Sequence, residues 1–321
     1  MANKILVTGT SVRADLLKPL SDAGFVVENP THLLSESELK EQLRTSAGYL
    51  LGGDEFASKE ALSTADGLKI IAFLGMGYQS FIDVDGANGK GIPITNTPGT
   101  LSNSVAEFTV GLLLNSTRKL YKYATDYSKG KTGHEEKQHD IAALHVGIVG
   151  LGGIGTRIAE ILRNGFNAKV SYFSRTRKEN EEKKLGVAYA TLDQLLSEVD
   201  VLILMTPNTP QTTGMIGQAQ INKMKKGAII INTARPEIVE ANALLSGLES
   251  GQIEYAALDG FYEGTSTEIE KLKSLTPQRL MVTGHIASLT HEARDGMAKL
   301  ATQSIINLIK TGTDKYIVNN K

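Results

Sequence analysis

The feature that most constrains this chain is a glycine-rich turn between an apolar strand and a helix. The pattern is G-x-G-x-x-G over residues 150–155, after an apolar run at 145–149 and before a helical pattern over 156–164. On its own the pattern is weak, because many tight turns use glycine without binding a ligand. Inside a βαβ unit that closes at 169–173, it predicts a dinucleotide-binding turn.

Each glycine has a separate task in a turn of this kind. Gly150 allows the tight turn, Gly152 lets the backbone approach a pyrophosphate, and Gly155 lets the helix pack closely on the strand. Gly153 and Ile154 lie at the helix amino terminus, which favours negative charge. We therefore expect these five residues to bind a nicotinamide dinucleotide.

The residues after the next strand indicate which dinucleotide binds. An NAD site commonly has an acidic residue about 20 positions beyond the turn, where this chain has Ser174-Arg175-Thr176-Arg177. A carboxylate there would repel a 2′-phosphate, whereas Arg175 and Arg177 pair with one and Ser174 hydrogen-bonds to it. A basic loop after a strand is often only solvated, but the absent acid favours NADP(H) over NAD(H).

Short apolar runs alternate with helical patterns along the whole chain, which predicts repeated βα units and an α/β fold with parallel, doubly wound sheets. The Pro-Gly pair at 98–99 marks a linker between two domains. The predicted strands are 5–8, 25–27, 49–51, 69–74, 92–95, 145–149, 169–173, 201–205, 228–232, 255–258 and 280–283, and the predicted helices include 14–23, 36–45, 102–119, 156–164 and 298–310. The last helix is expected to return to the first domain.

Composition excludes several classes of function. The chain has no cysteine, so disulfides, cysteine nucleophiles and thiolate metal sites are excluded. Its formal charge of −1 gives no basis for binding nucleic acid or an anionic membrane. No signal core or membrane-length apolar run is present, and the histidines at 134, 139 and 145 lack metal-ligand spacing. We expect a cytoplasmic protein without a metal, whose partner is a small molecule.

Three polar residues follow predicted strands of the second domain. Arg235, Asp259 and His285 come after the strands at 228–232, 255–258 and 280–283. Ligands of such sheets bind beyond the carboxyl ends of the strands. Arg235 can hold a carboxylate through two hydrogen bonds, and His285 can donate a proton to a carbonyl oxygen. Asp259 is expected to accept a hydrogen bond from the nicotinamide carboxamide.

The order of motifs resembles the D-isomer-specific 2-hydroxyacid dehydrogenases over essentially the whole chain. The motifs are Gly75-Met76-Gly77-Tyr78, Thr95-Asn96-Thr97-Pro98-Gly99, Val105-Ala106-Glu107, the glycine turn, Met205-Thr206-Pro207, Ile231-Asn232-Thr233-Ala234-Arg235, Ala257-Leu258-Asp259 and His285-Ile286-Ala287-Ser288. The resemblance implies a Rossmann dinucleotide-binding domain at 99–289 and a flavodoxin-like, discontinuous substrate-binding domain at 1–98 and 290–321. It also implies a homodimer built on the dinucleotide-binding domains.

The resemblance further implies where the ligands bind. The substrate carboxylate is expected on the backbone N–H groups of Met76 and Gly77, beside Tyr78 and with help from Arg235. The remaining cofactor contacts that it implies are Thr206, Pro207, Thr233 and Ala234.

Three positions depart from the family pattern. A glutamate that usually pairs with the histidine, and raises its pKa, is replaced by Gly264, with Glu263 as the adjacent candidate to take its place. Proline stands at 236 instead of glycine, which biases Arg235 towards an extended backbone. Glycine stands at 284 instead of proline, so the residues around Arg235 and His285 are expected to differ from the usual site.

The leading hypothesis is an NADPH-dependent reductase that converts a small 2-oxo acid, such as glyoxylate or hydroxypyruvate, to the D-2-hydroxy acid. In it His285 donates the proton, Arg235 holds the carboxylate and Glu263 is the candidate partner of His285. One alternative is a dinucleotide-sensing interaction protein with little or no catalysis, which the missing glutamate favours. The other is oxidation of a small anion such as phosphite or formate.

Overall fold

A computed structural model describes residues 3–9, 12–133 and 137–319 of the chain. The chain divides into two compact units: Met1–Leu101 together with Leu289–Lys321, and Ser102–Ser288. We call them unit 1 and unit 2. Each unit contains one sheet with strands that pair in parallel.

Unit 1 has a five-stranded parallel sheet in the order β2-β1-β3-β4-β5, which is the flavodoxin-like order. Its strands are β1 (Lys4–Thr8), β2 (Val26–Glu28), β3 (Ser46–Leu51), β4 (Ile71–Phe73) and β5 (Ile94–Thr95). Its helices are α1 (Ala14–Asp22), α2 (Glu36–Arg44), α3 (Lys59–Leu62), α4 (Val84–Gly89) and the carboxyl-terminal α13 (His291–Thr311). Apolar side chains are buried on both faces of the sheet, as parallel sheets require.

Unit 2 has a seven-stranded parallel sheet in the order β12-β11-β10-β9-β6-β7-β8. Its strands are β6 (His145–Val149), β7 (Lys169–Phe173), β8 (Ala188–Tyr189), β9 (Val201–Leu204), β10 (Ala228–Asn232), β11 (Ile253–Asp259) and β12 (Leu280–Thr283). Its helices are α5 (Ser102–Arg118), α6 (Leu120–Ser128), α7 (Gly153–Phe166), α8 (Glu179–Leu185), α9 (Leu192–Glu198), α10 (Gln218–Lys223), α11 (Ala241–Ser250) and α12 (Thr267–Ser274). Counted from β6, this is the Rossmann order with one additional strand.

The predicted α/β class with parallel sheets is therefore confirmed, and most predicted elements lie where the apolar patterns indicate. Two elements of unit 2 were not predicted: α6 in the polar stretch after residue 120, and the two-residue β8. Helix α6 has no buried residue, and the stretch that contains it is mostly polar, so its few apolar residues did not indicate a helix. Helix α13 begins at His291, as the capping pattern at 290–294 predicts, and continues through the helical pattern at 298–310; Thr290 caps it by accepting from the Ala293 N–H at 3.1 Å.

In the described part of the chain, no helix combines the length and the apolarity that crossing a membrane requires. This finding concerns helices alone.

His145, at the start of β6, makes the stability of unit 2 dependent on pH. Its side chain is buried, and Nε2 lies 2.8 Å from the Ser171 hydroxyl. Burial, with the nearby Lys169 ammonium, lowers the pKa of His145. The unfolded chain therefore binds this proton more readily, and stability falls as pH drops below the ordinary histidine value of about 6.5.

We expect the His145→Gln variant, which cannot take up this proton, to lose less stability between neutral and mildly acidic pH than the wild type. For a single proton the difference is at most about 1.4 kcal/mol per pH unit. Urea unfolding at several pH values measures it. Equal pH dependence in both proteins would contradict the assignment.

Candidate cofactor and catalytic site

The glycine turn between β6 and α7 has the shape that a dinucleotide needs. Gly150 has a φ of +104°, and a Cβ there would lie 2.7 Å from the Met205 carbonyl oxygen. A Cβ on Gly155 would lie 2.1 Å from the Gly150 carbonyl oxygen, so helix and strand touch at this point. A Cβ on Gly152 would meet nothing within 4 Å. Packing thus requires the outer glycines, while the middle one leaves open space for a ligand.

Helix α7 begins at Gly153, directly behind that open space, with Gly152 as its N-cap. The first N–H groups of a helix have no acceptor within the helix, and the helix dipole makes this end positive. The backbone N–H groups of Gly153 and Ile154 therefore lie next to the open space at Gly152. The residues of the turn fit a dinucleotide pyrophosphate.

The loop after β7 contains the three residues predicted to select the cofactor. Arg177 donates from Nε and Nη2 to the two carboxylate oxygens of Glu182, at 2.9 and 2.8 Å. The Ser174 hydroxyl donates to the Thr176 carbonyl at 2.6 Å, while Arg175 is exposed. Glu182 was not predicted from the sequence, because it lies on the next helix and the contact is tertiary.

The Arg177–Glu182 pair is a strong one. The Arg177 guanidinium, together with the Tyr172 hydroxyl, lowers the pKa of Glu182 to about 2. Glu182 is therefore ionised at neutral pH and neutralises Arg177. Both arginines are exposed, but within the described residues Arg175 is the one that no ion pair engages.

The ends of β9 and β10 lie next to the glycine turn. The Thr206 backbone nitrogen is 3.1 Å from the position of a Cβ on Gly150, and Pro207 follows it. The Thr233 hydroxyl is 2.7 Å from that of Thr109 on α5. The sheet thus brings these residues, which the chain spaces far apart, to the edge where the turn is.

Arg235 is held by its own turn. The buried Asn232 side chain accepts from the Ala234 N–H at 3.0 Å and donates to the Arg235 carbonyl at 2.8 Å. Arg235 is extended, with φ −143° and ψ 136°, before the short 3₁₀ helix Pro236–Ile238. This confirms the conformation predicted from Pro236. Burial lowers the pKa of Arg235, which nevertheless remains charged at any physiological pH.

Arg235 and His285, 50 residues apart in the chain, come together in unit 2. Arg235 Nη1 lies 3.5 Å from His285 Nε2, at the outer limit of a hydrogen bond. His285 is exposed and has a φ of +57°, a left-handed conformation that costs free energy for a residue with a Cβ. The candidate anion holder and the candidate proton donor thus lie side by side.

Asp259, at the end of β11, fixes the loop that carries His285. One carboxylate oxygen accepts from the Thr283 hydroxyl at 2.7 Å and the Ile286 N–H at 2.8 Å, and the other accepts from the Ala287 N–H at 2.8 Å. Asp259 is 3% exposed. Three hydrogen bonds to a buried charged acceptor stabilise the strained backbone on both sides of His285. This role was not anticipated from the sequence.

The loop after Asp259 contains the departure from the family pattern. Gly264 has a φ of +95°, which disfavours any residue with a Cβ, so a glutamate does not fit this loop as it stands. Glu263 is exposed. The loop is anchored by Tyr262, whose hydroxyl donates to the Val239 carbonyl at 2.9 Å.

In unit 1, Met76 and Gly77 follow β4 in a loop fixed by Thr97. The Thr97 hydroxyl accepts from the Gly75 N–H at 3.0 Å, and the Thr97 N–H donates to the Gly75 carbonyl at 3.0 Å. Gly75 has a φ of +151° and Met76 is 42% exposed. Tyr78 begins a 3₁₀ turn, and burial raises the pKa of its hydroxyl.

Metal ligands were also sought among residues 3–9, 12–133 and 137–319. Within these ranges no group of three or more histidine, cysteine, aspartate or glutamate side chains is placed to hold a metal ion. His134 lies outside the described residues.

Comparison with known proteins identifies the class of this fold and site. Residues 110–287 match the family profile described as D-isomer specific 2-hydroxyacid dehydrogenase, NAD binding domain. The chain is 37% identical to the glyoxylate reductase of Thermococcus litoralis over 271 residues, which are 81% of this chain and 80% of that one. It is 32% identical to glyoxylate/hydroxypyruvate reductase B of Cronobacter sakazakii over 315 residues, covering 97% and 96%.

Solved structures give the same result. A glyoxylate reductase from Paecilomyes thermophila superimposes with a TM-score of 0.88 and 26% identity, covering 99% of this chain and 98% of that one. A D-lactate dehydrogenase from Aquifex aeolicus, solved with NAD and lactic acid, has a TM-score of 0.83 and 26% identity, covering 95% of each chain. The glycine turn and the match to an NAD-binding domain define an oxidoreductase of the nicotinamide-dependent class. The chain belongs to the D-isomer-specific 2-hydroxyacid dehydrogenase family.

Proposed function

We propose that this protein is an NADPH-dependent reductase that converts a small 2-oxo acid, of the glyoxylate or hydroxypyruvate kind, to the D-2-hydroxy acid. The observation that carries the proposal is the 3.5 Å approach of Arg235 Nη1 to His285 Nε2. A carboxylate holder and a proton donor are the two groups that reduction of a 2-oxo acid requires beside a hydride source. The names of the relatives at 37% and 32% identity support the substrate class.

A reduced nicotinamide, when bound, supplies the hydride that goes to the carbonyl carbon. The glycine turn, with the amino terminus of α7, binds the pyrophosphate, and Thr206, Pro207, Thr233 and Ala234 line the cofactor at the ends of β9 and β10. Asp259 Oδ2 accepts one hydrogen bond in the described structure, from the Ala287 N–H, and can accept another. This oxygen is our candidate acceptor for the nicotinamide carboxamide.

In the chemical step, protonated His285 gives its Nε2 proton to the carbonyl oxygen as hydride reaches the carbon. The carbonyl becomes a hydroxyl, His285 is left neutral, and water restores its proton. Arg235 holds the substrate carboxylate through paired hydrogen bonds. The N–H groups of Met76 and Gly77, beside Tyr78, are the substrate-binding candidates of unit 1, and Glu263 is the candidate carboxylate to support protonated His285.

We also propose how the chain is organised for this task. The dinucleotide-binding domain is 99–289, and the substrate-binding domain is 1–98 with 290–321. The functional form is a cytoplasmic homodimer built on the dinucleotide-binding domains. Sedimentation of the purified protein tests the homodimer.

The proposal is tested by mixing the purified protein with NADPH and glyoxylate, hydroxypyruvate or pyruvate and following nicotinamide absorbance. We expect turnover of at least one acid, with a kcat in the usual range of about 1 to 1,000 per second. NADH in a parallel assay measures the cofactor preference. Tight NADPH binding without turnover of any of these acids would contradict the proposal.

We expect the Arg175→Gln variant to lose much of its preference for NADPH. Both arginines of the loop are exposed, but Arg177 is already paired with Glu182, whereas no ion pair engages Arg175 among the described residues. Losing a charge-assisted contact to a 2′-phosphate should raise the KM for NADPH about tenfold and leave that for NADH nearly unchanged. The neighbouring Lys178→Gln variant is the matched control. Equal changes for both cofactors would remove Arg175 from phosphate recognition.

A second candidate function rests on the loop around Gly264. Its φ of +95° does not admit the family glutamate, so the partner usual for the histidine is missing at that position. A dinucleotide-sensing protein needs neither this partner nor efficient proton transfer. The absorbance assay separates the two candidates, and adding phosphite and formate with NADP⁺ or NAD⁺ tests oxidation of a small anion.

A further inference from the structure

A cavity of about 510 Å³ lies in unit 2, at the amino-terminal edge of the sheet. Its wall includes Gly227, Gly251 and Arg279, which lie one or two residues before β10, β11 and β12. The candidate catalytic residues follow the other ends of these strands. Since β10 has five residues, the two sites are separated by about 17 Å along the strand. The cavity is thus independent of the site already described.

The lining of this cavity is strongly basic. It contains Lys119, Lys137, Lys226, Arg279 and His139, against Glu254 as the acidic member of the wall. The whole chain has a formal charge of −1, so such a local excess of positive charge is not a consequence of composition.

Lys119 and Glu254 form the floor and contribute no net charge. They make a salt bridge in which the lysine side chain is 6% exposed and the glutamate side chain 31%. Lys119 is also left-handed, with a φ of +52°, immediately after α5 ends at Arg118. The glycines at 227 and 251 keep the floor open, since a Cβ on Gly251 would meet nothing within 4 Å and one on Gly227 only Glu254 at 3.9 Å.

Three cations remain after this pairing. Within the described residues, no ion pair engages Lys137, Lys226 or Arg279. Arg279 donates from Nη1 to the Leu248 carbonyl in the last turn of α11, which uses one of its five N–H groups. The wall therefore carries a charge of about +3 with His139 neutral.

A purely structural role for these cations is to complement helix dipoles. The carboxyl ends of α5 and α11 reach this edge, and each contributes at most about −0.5 charge. Together they offset about one of the three positive charges. About two positive charges stay uncompensated around a cavity large enough for a small organic ligand.

We infer that this cavity binds a multivalent small anion, one that carries at least two phosphate or carboxylate groups. Lys137, Lys226 and Arg279 supply the contacts, and the Lys119–Glu254 pair supports them from below. Arg279 offers the planar fork that suits either anion, and the lysines supply point charges. The inference does not depend on the proposed reductase activity.

Isothermal titration calorimetry of the full chain tests the inference, with inorganic pyrophosphate and citrate as separate probes at about 25 mM salt. NADPH is present to occupy the glycine turn, which is itself an expected pyrophosphate site. We compare the wild type with the Lys137→Gln/Lys226→Gln variant and with a matched Lys18→Gln/Lys271→Gln control at exposed lysines elsewhere.

We expect binding that weakens about tenfold in Lys137→Gln/Lys226→Gln and less than twofold in the control. The tighter of the two probes assigns phosphate or carboxylate as the preferred group. Absence of heat with both probes up to about 10 mM, or an equal loss in the control variant, would overturn the inference. NADPH fluorescence shows separately whether NADPH binds. If it does not bind, the comparison of the wild type with Lys137→Gln/Lys226→Gln still tests the cavity.

Discussion

Replacing His285 with asparagine is expected to lower kcat about 1,000-fold while NADPH still binds with nearly its normal affinity. Positioned proton transfer contributes about 100- to 10,000-fold to reactions of this kind, and His285 is the proposed proton donor beside Arg235. Asparagine is the suitable replacement because His285 has a φ of +57°, which asparagine tolerates better than alanine. Steady-state kinetics with the preferred 2-oxo acid, and NADPH fluorescence, measure the two quantities.

The control for this variant is His32→Asn, at an exposed histidine of unit 1. It should retain wild-type kinetics. If His285→Asn kept more than about a tenth of the wild-type kcat, another group would be the proton donor. Such a result would favour the sensing alternative only if turnover by the wild type were also negligible.

The second large effect is expected from Asp259→Asn. The carboxylate accepts three hydrogen bonds from the loop of His285, two of them from backbone N–H groups on different oxygens. An asparagine presents one oxygen and one NH₂ group, so one backbone N–H loses its acceptor and faces another donor group. We expect a loss of about 2 to 3 kcal/mol in the free energy of unfolding and a fall in kcat of about 100-fold from misplacement of His285.

Asp200→Asn is the matched control for this substitution. Asp200 also accepts from a backbone N–H, that of His145 at 2.8 Å, but it lies at the amino-terminal edge of the same sheet. Its replacement should cost stability without lowering kcat. Chemical unfolding and steady-state kinetics of both variants separate the effects. Equal kcat values for the two would show that Asp259 stabilises the unit without positioning His285.

The strands of unit 2 were the most predictable elements of the fold. The structure gives β6, β7, β10 and β12 the bounds that the sequence predicts, because each is a short apolar run flanked by turn-forming or polar residues. Helix α6 was not predicted, because it lies in a mostly polar stretch and buries none of its residues. Strand β8, with two residues, is too short to produce one.

The candidate site also contains residues that the sequence identified and a contact that it did not. Its glycine turn, Arg235 and His285 were identified from residue type and spacing, because strand ends and glycine patterns are local signals. The pairing of Arg177 with Glu182 was not identified. This pairing changes the cofactor argument because it leaves Arg175 as the arginine without an ion pair in the described structure, and no local pattern distinguishes one arginine from the other.

The sequence by itself determined the α/β class, the dinucleotide turn and the identity of the groups that can hold an anion and donate a proton. Each depends on the conformational preferences of neighbouring residues, which act over a few positions of the chain. Only the tertiary structure decided that Asp259 fixes the loop of His285, and that basic residues from four separate segments surround one cavity. Those arrangements depend on strand order and register, which bring distant residues within hydrogen-bond or ionic range.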